Sequence, residues 1–165
     1  TNNEKYKKFK KVNNTSYWRA NINEVYFTIK NNLIKAENEN SINISKNNVD
    51  YRTGNYFKTY EIAKEVLNSD VWKNRFWDYR KNKEKNDELL EDEIYYTVDD
   101  DGVDFNSCFD FFNLKIGNYF STKEEALDFF ENDYPKSIKR IKDFTNELMK
   151  KNEYEISGYD LIKRV

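Results

Sequence analysis

The chain of 165 residues contains no histidine, and this absence removes several classes of function. Histidine is the side chain most often used as a general base near neutral pH, and it is the commonest transition-metal ligand. The four glycines stand singly at positions 54, 102, 117 and 158, so no glycine-rich phosphate-binding loop is present. His-dependent hydrolases, His-containing zinc sites and P-loop enzymes are therefore excluded.

Cysteine is almost absent as well. The single Cys108 cannot form an internal disulfide, which is typical of a reducing compartment. It lies in a strand-like aromatic run, where we expect a buried structural thiol and not a nucleophile. No stretch approaches the ~18–20 apolar residues of a membrane span, and the Lys-rich start lacks an apolar signal segment. We therefore predict a non-enzymatic protein of the bacterial cytoplasm, with no cofactor, no metal and no membrane partner.

Aromatic residues are abundant in the chain, whereas some other core-forming residues are few. The chain has 13 Tyr, 12 Phe and 3 Trp, but only one Met and one Pro, so aromatic rings supply most of the large apolar surface. Lys outnumbers Arg by 22 to 6, and Asn occurs 24 times. Codons rich in A and T produce this bias, which indicates a low-GC Gram-positive bacterium or its phage.

A ten-residue string occurs twice. Gly-Asn-Tyr-Phe-Lys-Thr-Tyr-Glu-Ile-Ala at 54–63 returns as Gly-Asn-Tyr-Phe-Ser-Thr-Lys-Glu-Glu-Ala at 117–126, with seven of ten positions identical. Upstream, Glu-Val-Tyr-Phe-Thr-Ile at 24–29 matches Glu-Ile-Tyr-Tyr-Thr-Val at 93–98, with three of six positions identical. The two strings are 63 residues apart, whereas the two upstream segments are 69 residues apart. The first copy therefore has about six extra residues, which we place in the polar stretch 31–48. The sequence predicts a tandem duplication.

The repeated string predicts a turn that leads into a capped helix. Thr59 and Thr122 stand at N-cap positions, each with an acidic residue in the first helical turn. A second helix follows each capped helix: one begins after Ser69, and the other begins at Pro135, a residue suited to the first turn. The aromatic residues of the string should enter the core.

A β-hairpin is predicted ahead of each string. The first spans residues 16–29 with its turn at 21–23, and the second spans 94–105 with an Asp-Gly turn at 99–102. An extended segment then connects each hairpin to its capped helix, and Ser157 and Gly158 mark a break in the tail. The predicted fold class is α+β, with two tandem related units at 1–83 and 84–165, each an antiparallel hairpin followed by two helices.

Charge is distributed unevenly, although the formal net charge is only -2. Residues 1–83 carry 17 Lys and Arg against 9 Asp and Glu, whereas residues 84–104 hold ten acidic residues and one Lys. An acidic surface can compete with a phosphate backbone for a basic channel of another protein. On this hypothesis the partner-binding residues are Glu91, Asp92, Glu93, Asp99, Asp100, Asp101 and Asp104. The alternatives are a solvated linker between the two copies and, at the hairpin tip, a solvated Asp-rich turn.

Two other functions remain open. In the first, the basic N-terminal half binds nucleic acid: Trp18 stacks on bases and phosphates are contacted by Lys5, Lys7, Lys8, Lys10 and Lys11. The low Arg content disfavours base-specific recognition. In the second, the chain is an oligomerising structural phage protein.

The pattern Gly-Asn-x-Phe-x-Thr-x-Glu-x-Ala, preceded by an aromatic strand and an Asp-rich turn at 95–102, resembles a module of uncharacterised phage and mobile-element proteins of low-GC bacteria. The resemblance covers the two copies and brings no catalytic residue; the first copy departs from the pattern, with Ile62 at a capping position. It implies a protein that binds and disables host defence machinery. A CRISPR effector is the best single guess, which would make the protein anti-CRISPR-like.

Overall fold

The computed structural model describes residues 17–82, 94–106 and 111–163. The chain forms two compact units. Unit 1 comprises Thr1–Leu67 and Ile141–Val165, and unit 2 comprises Asn68–Arg140. This division differs from the predicted boundary after residue 83, because Phe76 and Tyr79 pack in the same core as residues of the second hairpin.

Two antiparallel hairpins and a set of helices make up the described residues, so the predicted α+β class is confirmed. Unit 1 contains β1 (Val25–Lys30), β2 (Leu33–Asn38), α1 (Ile44–Arg52) and α2 (Tyr60–Leu67). Unit 2 contains α3 (Asp70–Lys73), α4 (Trp77–Asn82), β3 (Tyr95–Asp99), β4 (Gly102–Asn106), α5 (Phe111–Ile116), α6 (Lys123–Asp128) and a π-helical turn (Phe129–Asp133). The last helix, α7 (Tyr134–Lys163), begins in unit 2 and ends in unit 1.

The first hairpin lies further along the chain than predicted. Its strands pair with Lys30 opposite Leu33, and its turn is formed by Asn31 and Asn32, with φ of 51° and 61°. Two consecutive positive φ values are typical of a type I′ turn, whose twist matches that of paired strands. The placement at 16–29 is therefore wrong, and the polar stretch 31–48 holds β2 and the start of α1.

The second hairpin agrees with the prediction. Asp99 pairs with Gly102, so that Asp100 and Asp101 form the turn between β3 and β4. Gly102 has a φ of 131°, which an L residue rarely adopts. Glycine therefore follows aspartate at this turn because the backbone there needs a positive φ.

The two repeated strings begin with the same glycine conformation. Gly54 has a φ of 78° and Gly117 a φ of 82°, both in the left-handed region that favours glycine. In unit 2 space matters too, since a Cβ on Gly117 would lie 2.9 Å from the ring of Trp77. Glycine is therefore required at this position both for its φ and for the close approach of the ring.

The asparagine of each string binds the backbone of a strand. Asn55 accepts from the N–H of Ile29 at 2.7 Å and donates to the same residue's carbonyl oxygen at 2.9 Å. Asn118 makes the matching pair of bonds with Val98, at 2.8 and 2.9 Å. Each side-chain amide thus satisfies a backbone donor and acceptor that would otherwise be left without partners.

The phenylalanine of each string extends its hairpin by one bridge. Phe57 exchanges two backbone hydrogen bonds with Phe27, and Phe120 exchanges two with Tyr96, at 2.7–2.9 Å. All four aromatic residues of the strings, Tyr56, Phe57, Tyr119 and Phe120, are buried, as predicted. The strings therefore join each hairpin to its core.

The threonine of each string caps the following helix, as predicted. Thr59 accepts from the N–H of Ile62 at 3.1 Å, and Thr122 accepts from the N–H of Glu125 at 3.2 Å. These bonds satisfy backbone donors of the first helical turn. The two strings share one local structure, while their common origin stays a prediction from the sequence.

Three predicted helix positions are corrected. The segments that were expected to be extended contain helices α1 and α5, so each unit has a helix between its hairpin and its string. Ser69 caps α3 through the N–H of Trp72 at 3.4 Å, but the helix predicted there is two short helices, α3 and α4. Helix α7 continues through Ser157 and Gly158, where a break was expected.

Each unit has its own aromatic core. In unit 1 one cluster of core residues comprises Ala20, Tyr26, Tyr51 and Tyr56. In unit 2 a cluster comprises Phe76, Tyr79, Val98, Phe120, Ala126 and Phe129. Among the described residues, no helix combines the length and the apolar run needed to cross a lipid bilayer.

Candidate functional site

The four aspartates of the predicted partner surface lie together at the tip of the second hairpin. Asp99, Asp101 and Asp104 are exposed, and Asp100 is half-buried. We call these four residues the acidic tip. Three further predicted residues, Glu91, Asp92 and Glu93, lie outside the described residues, as do Cys108 and the lysines from Lys5 to Lys11.

Hydrogen bonds hold the acidic tip in one conformation. The backbone N–H of Asp101 donates to Oδ1 of Asp99 at 2.8 Å. The hydroxyl of Tyr134 donates to Oδ1 of Asp100 at 2.7 Å. Since the Tyr134 ring packs on the ring of Phe129, this second bond connects the tip to the core of unit 2.

Tyr134 was not predicted as part of this site. The sequence marked it only as the residue before Pro135, and it lies 34 positions from its partner Asp100. No local pattern connects residues so far apart. Burial and the neighbouring Asp100 carboxylate both raise the pKa of the Tyr134 hydroxyl, so it remains a donor at neutral pH.

Negative charge is crowded at the tip. The pKa of Asp99 is raised, first because the carboxyl is partly buried and then because it lies against the carboxyl of Asp104. Asp99, Asp101 and Asp104 form no ion pair with any Lys or Arg of the described residues. Within residues 17–82, 94–106 and 111–163, no basic side chain therefore neutralises these exposed carboxylates.

Arg75 is a cation whose charge interacts with that of Asp100. Its guanidinium donates to the carbonyl oxygen of Trp72 at 2.7 Å and lies 4.1 Å from the centre of the Trp72 ring. Burial lowers the pKa of Arg75 to about 10, and the charge of Asp100 opposes this shift. Arg75 therefore balances the half-buried Asp100 and remains charged at neutral pH.

We predict that Asp99→Asn raises stability at neutral pH by a few tenths of a kcal/mol, since the group is partly exposed. A carboxyl whose pKa is raised on folding stabilises the fold while it is protonated, and this contribution is lost as the pH rises through the folded pKa. The amide oxygen of Asn can still accept from Asp101. Thermal melts at pH 7 and pH 3 should show a higher melting temperature for the variant at pH 7 only. An equal shift at both pH values would contradict carboxylate crowding.

The tip carries no sign of metal chemistry. Among residues 17–82, 94–106 and 111–163, no group of three or more His, Cys, Asp or Glu side chains is placed to hold a metal ion. Asp100 is engaged by a tyrosine hydroxyl, and Asp99 accepts from a backbone N–H. The arrangement presents negative charge at the end of a hairpin whose turn is held by two hydrogen bonds.

The described part of the alternative nucleic-acid site lies in unit 1. Trp18 is half-buried; its ring is 5.7 Å from that of Tyr56, and Nζ of Lys58 lies 5.9 Å from the ring centre. Beside these rings is a cavity of about 20 Å³, enough for one water molecule. It is far too small for a small-molecule ligand, which needs roughly 300 Å³ or more.

Comparison of the chain with protein-family models, with curated proteins and with solved structures finds no match.

Proposed function

We propose that this protein is a non-enzymatic binding protein whose acidic tip occupies a basic, nucleic-acid-binding surface of another protein. The observation that carries this proposal is the display of three exposed carboxylates, with no ion pair to any described residue, at the end of β3, on the turn and in β4. Such carboxylates attract the same Lys and Arg side chains that bind phosphates.

Two features of the tip support binding through it. Its conformation is already fixed by the bonds of Tyr134 and of the Asp101 N–H, so little ordering entropy is lost on association. The pKa of Asp99 is raised first by burial and then by the carboxyl of Asp104, and a basic partner would relieve the repulsion between these two groups.

The resemblance to phage and mobile-element proteins suggests the class of partner. We propose a host defence protein with a nucleic-acid channel, and a CRISPR effector is the first candidate to test. In this proposal inhibition results from occupancy of the channel, and the protein performs no reaction.

Charge reversal tests the proposal. The variant Asp99→Lys/Asp101→Lys/Asp104→Lys should weaken binding to a partner captured from a low-GC Gram-positive host by at least ~10-fold, because carboxylates facing a basic surface become cations. Asp100 is left in place so that its bond with Tyr134 is kept. Binding is measured by surface plasmon resonance on the purified partner.

A matched control separates the site from net charge. Glu65→Lys/Glu131→Lys/Glu147→Lys makes the same change in charge at three exposed positions that are not part of the tip. This control should bind within about threefold of wild type, since exposed charges outside the contact surface are largely screened by salt. Equal loss in both variants, or no loss in the tip variant, would contradict the proposal.

A further inference from the structure

Some cations of unit 1 form ion pairs within the unit and others do not. Lys46 lies 3.2 Å from Glu37 and 3.0 Å from Asp50, and Arg19 pairs with Glu39. Arg52, Lys58 and Lys142 form no ion pair with any residue of the described ranges, and the same holds for the exposed Lys30 and Lys64.

Two of these cations, Lys58 and Lys142, lie against one set of aromatic rings, and Nζ of Lys58 is 5.9 Å from the centre of the Trp18 ring. Nζ of Lys142 is 5.2 Å from the centre of the Tyr17 ring and 5.8 Å from that of Tyr51. The rings continue from Tyr51 to Tyr56, at 5.4 Å, and from there to Trp18. Tyr17, Trp18 and Lys142 are all half-buried.

We call this surface the cationic-aromatic face, and its members are Tyr17, Trp18, Arg52, Lys58 and Lys142. Arg52 belongs to the face because its charge acts on Lys142, and the carboxylate of Asp143 also lies there, accepting from the Tyr17 hydroxyl at 2.9 Å. The pKa of Lys142 is lowered, first by burial of the ammonium and then by the nearby charge of Arg52. An anion held between the two would relieve both their repulsion and the desolvation of Lys142.

We infer that the cationic-aromatic face binds single-stranded nucleic acid, with phosphates on Arg52, Lys58 and Lys142 and a base against the accessible part of Trp18 or Tyr17. Cations that track a backbone beside rings that stack on bases are the recurring features of single-strand binding. A duplex hides its base faces, so it would leave the rings without a role. The cavity beside the rings is too small to enclose a base, so the strand lies on the surface.

This inference is independent of the acidic tip, because it uses only residues of unit 1. The face and the tip carry opposite charges. Sequence reasoning found only Trp18 of this face. Arg52 lies two positions before the first repeated string and Lys58 lies within it, but Lys142 lies in the last helix, and nothing local in the sequence relates it to Trp18.

The test is fluorescence anisotropy of the full chain with labelled oligo(dT) and oligo(rU) of about 20 nucleotides, which exceeds the site size of one binding module. Three phosphate contacts should lower the association constant by roughly 20-fold between 50 and 200 mM salt. The variant Arg52→Gln/Lys58→Gln/Lys142→Gln should lose most of the affinity, and its salt slope should fall by about 2.

A matched control removes three cations elsewhere in unit 1. Lys30→Gln/Lys35→Gln/Lys64→Gln alters exposed side chains outside the face and should keep both affinity and slope. Trp18→Phe keeps an aromatic ring and should bind within about threefold, whereas Trp18→Ala should lose roughly 10-fold or more with the slope unchanged. Circular dichroism melts establish whether each variant is folded. If Trp18→Ala is unfolded, the test rests on the Gln variants and on Trp18→Phe.

Four results would overturn the inference: no salt-sensitive binding at 50 mM salt, equal loss in the face variant and its control, tighter binding of a duplex than of a single strand, or equally effective competition by polyglutamate at matched charge. The last result would show that the face accepts any polyanion, an acidic protein included.

Discussion

Glu39→Ala is expected to destabilise the protein by ~3–5 kcal/mol, because it leaves a buried guanidinium without its carboxylate. The Glu39 side chain is 0% exposed and that of Arg19 is 5% exposed. Nε of Arg19 donates to Oε1 of Glu39, and the guanidinium also lies 4.9 Å from the centre of the Tyr51 ring. Water therefore has little access to the Arg19 charge, which the substitution leaves without its carboxylate partner.

Urea unfolding followed by circular dichroism measures this loss. Glu37→Ala is the control, because Glu37 pairs with the exposed Lys35 and Lys46 and should cost no more than about 1 kcal/mol. A double variant, Arg19→Met/Glu39→Leu, removes both charges and should recover most of the stability. If Glu39→Ala cost no more than Glu37→Ala, the ion pair would not have the structural role assigned to it.

Asn118→Ala is expected to cost ~2–4 kcal/mol, since it strips partners from two buried backbone groups at once. The side chain of Asn118 is the acceptor for the N–H of Val98 and the donor to its carbonyl oxygen, and the residue is buried. Asn55→Ala should have a similar effect in unit 1, because Asn55 makes the same two bonds to Ile29.

An exposed asparagine provides the comparison. Asn132 donates to Asp128 at 2.8 Å on the surface, so Asn132→Ala should change the free energy of unfolding by no more than about 0.5 kcal/mol. Chemical denaturation of the three variants checks both expectations. Comparable effects for Asn118→Ala and Asn132→Ala would show that the asparagine of the repeated string is not a strand partner.

Local chemistry made part of this fold predictable. The Thr caps and the Asp-Gly turn were found because each depends on residues within a few positions. The first hairpin was misplaced for the same reason: its turn consists of Asn31 and Asn32 with no glycine, and β2 is a polar strand, Leu-Ile-Lys-Ala-Glu-Asn. A turn built from asparagine residues is harder to recognise in a sequence than a turn that contains glycine.

The other errors came from tertiary context. Helix α1 is mostly polar and has no clear apolar stripe, while α5 is a six-residue helix with two phenylalanines that favour strands in isolation. Neither helix follows from local propensity. The sequence placed the acidic tip correctly on a turn, but the contacts of Tyr134 with Asp100 and of Lys142 with Tyr17 join residues far apart in the chain.

The most direct test of the proposed function is competition on the captured partner protein. Its affinity for the full chain is measured by surface plasmon resonance at increasing concentrations of the partner's own nucleic acid. The account predicts that the apparent Kd of the protein for its partner rises in proportion to the nucleic-acid concentration. For Asp99→Lys/Asp101→Lys/Asp104→Lys, the weak binding that remains should not depend on the nucleic-acid concentration. An apparent Kd that stays constant as the nucleic acid saturates its site would contradict it.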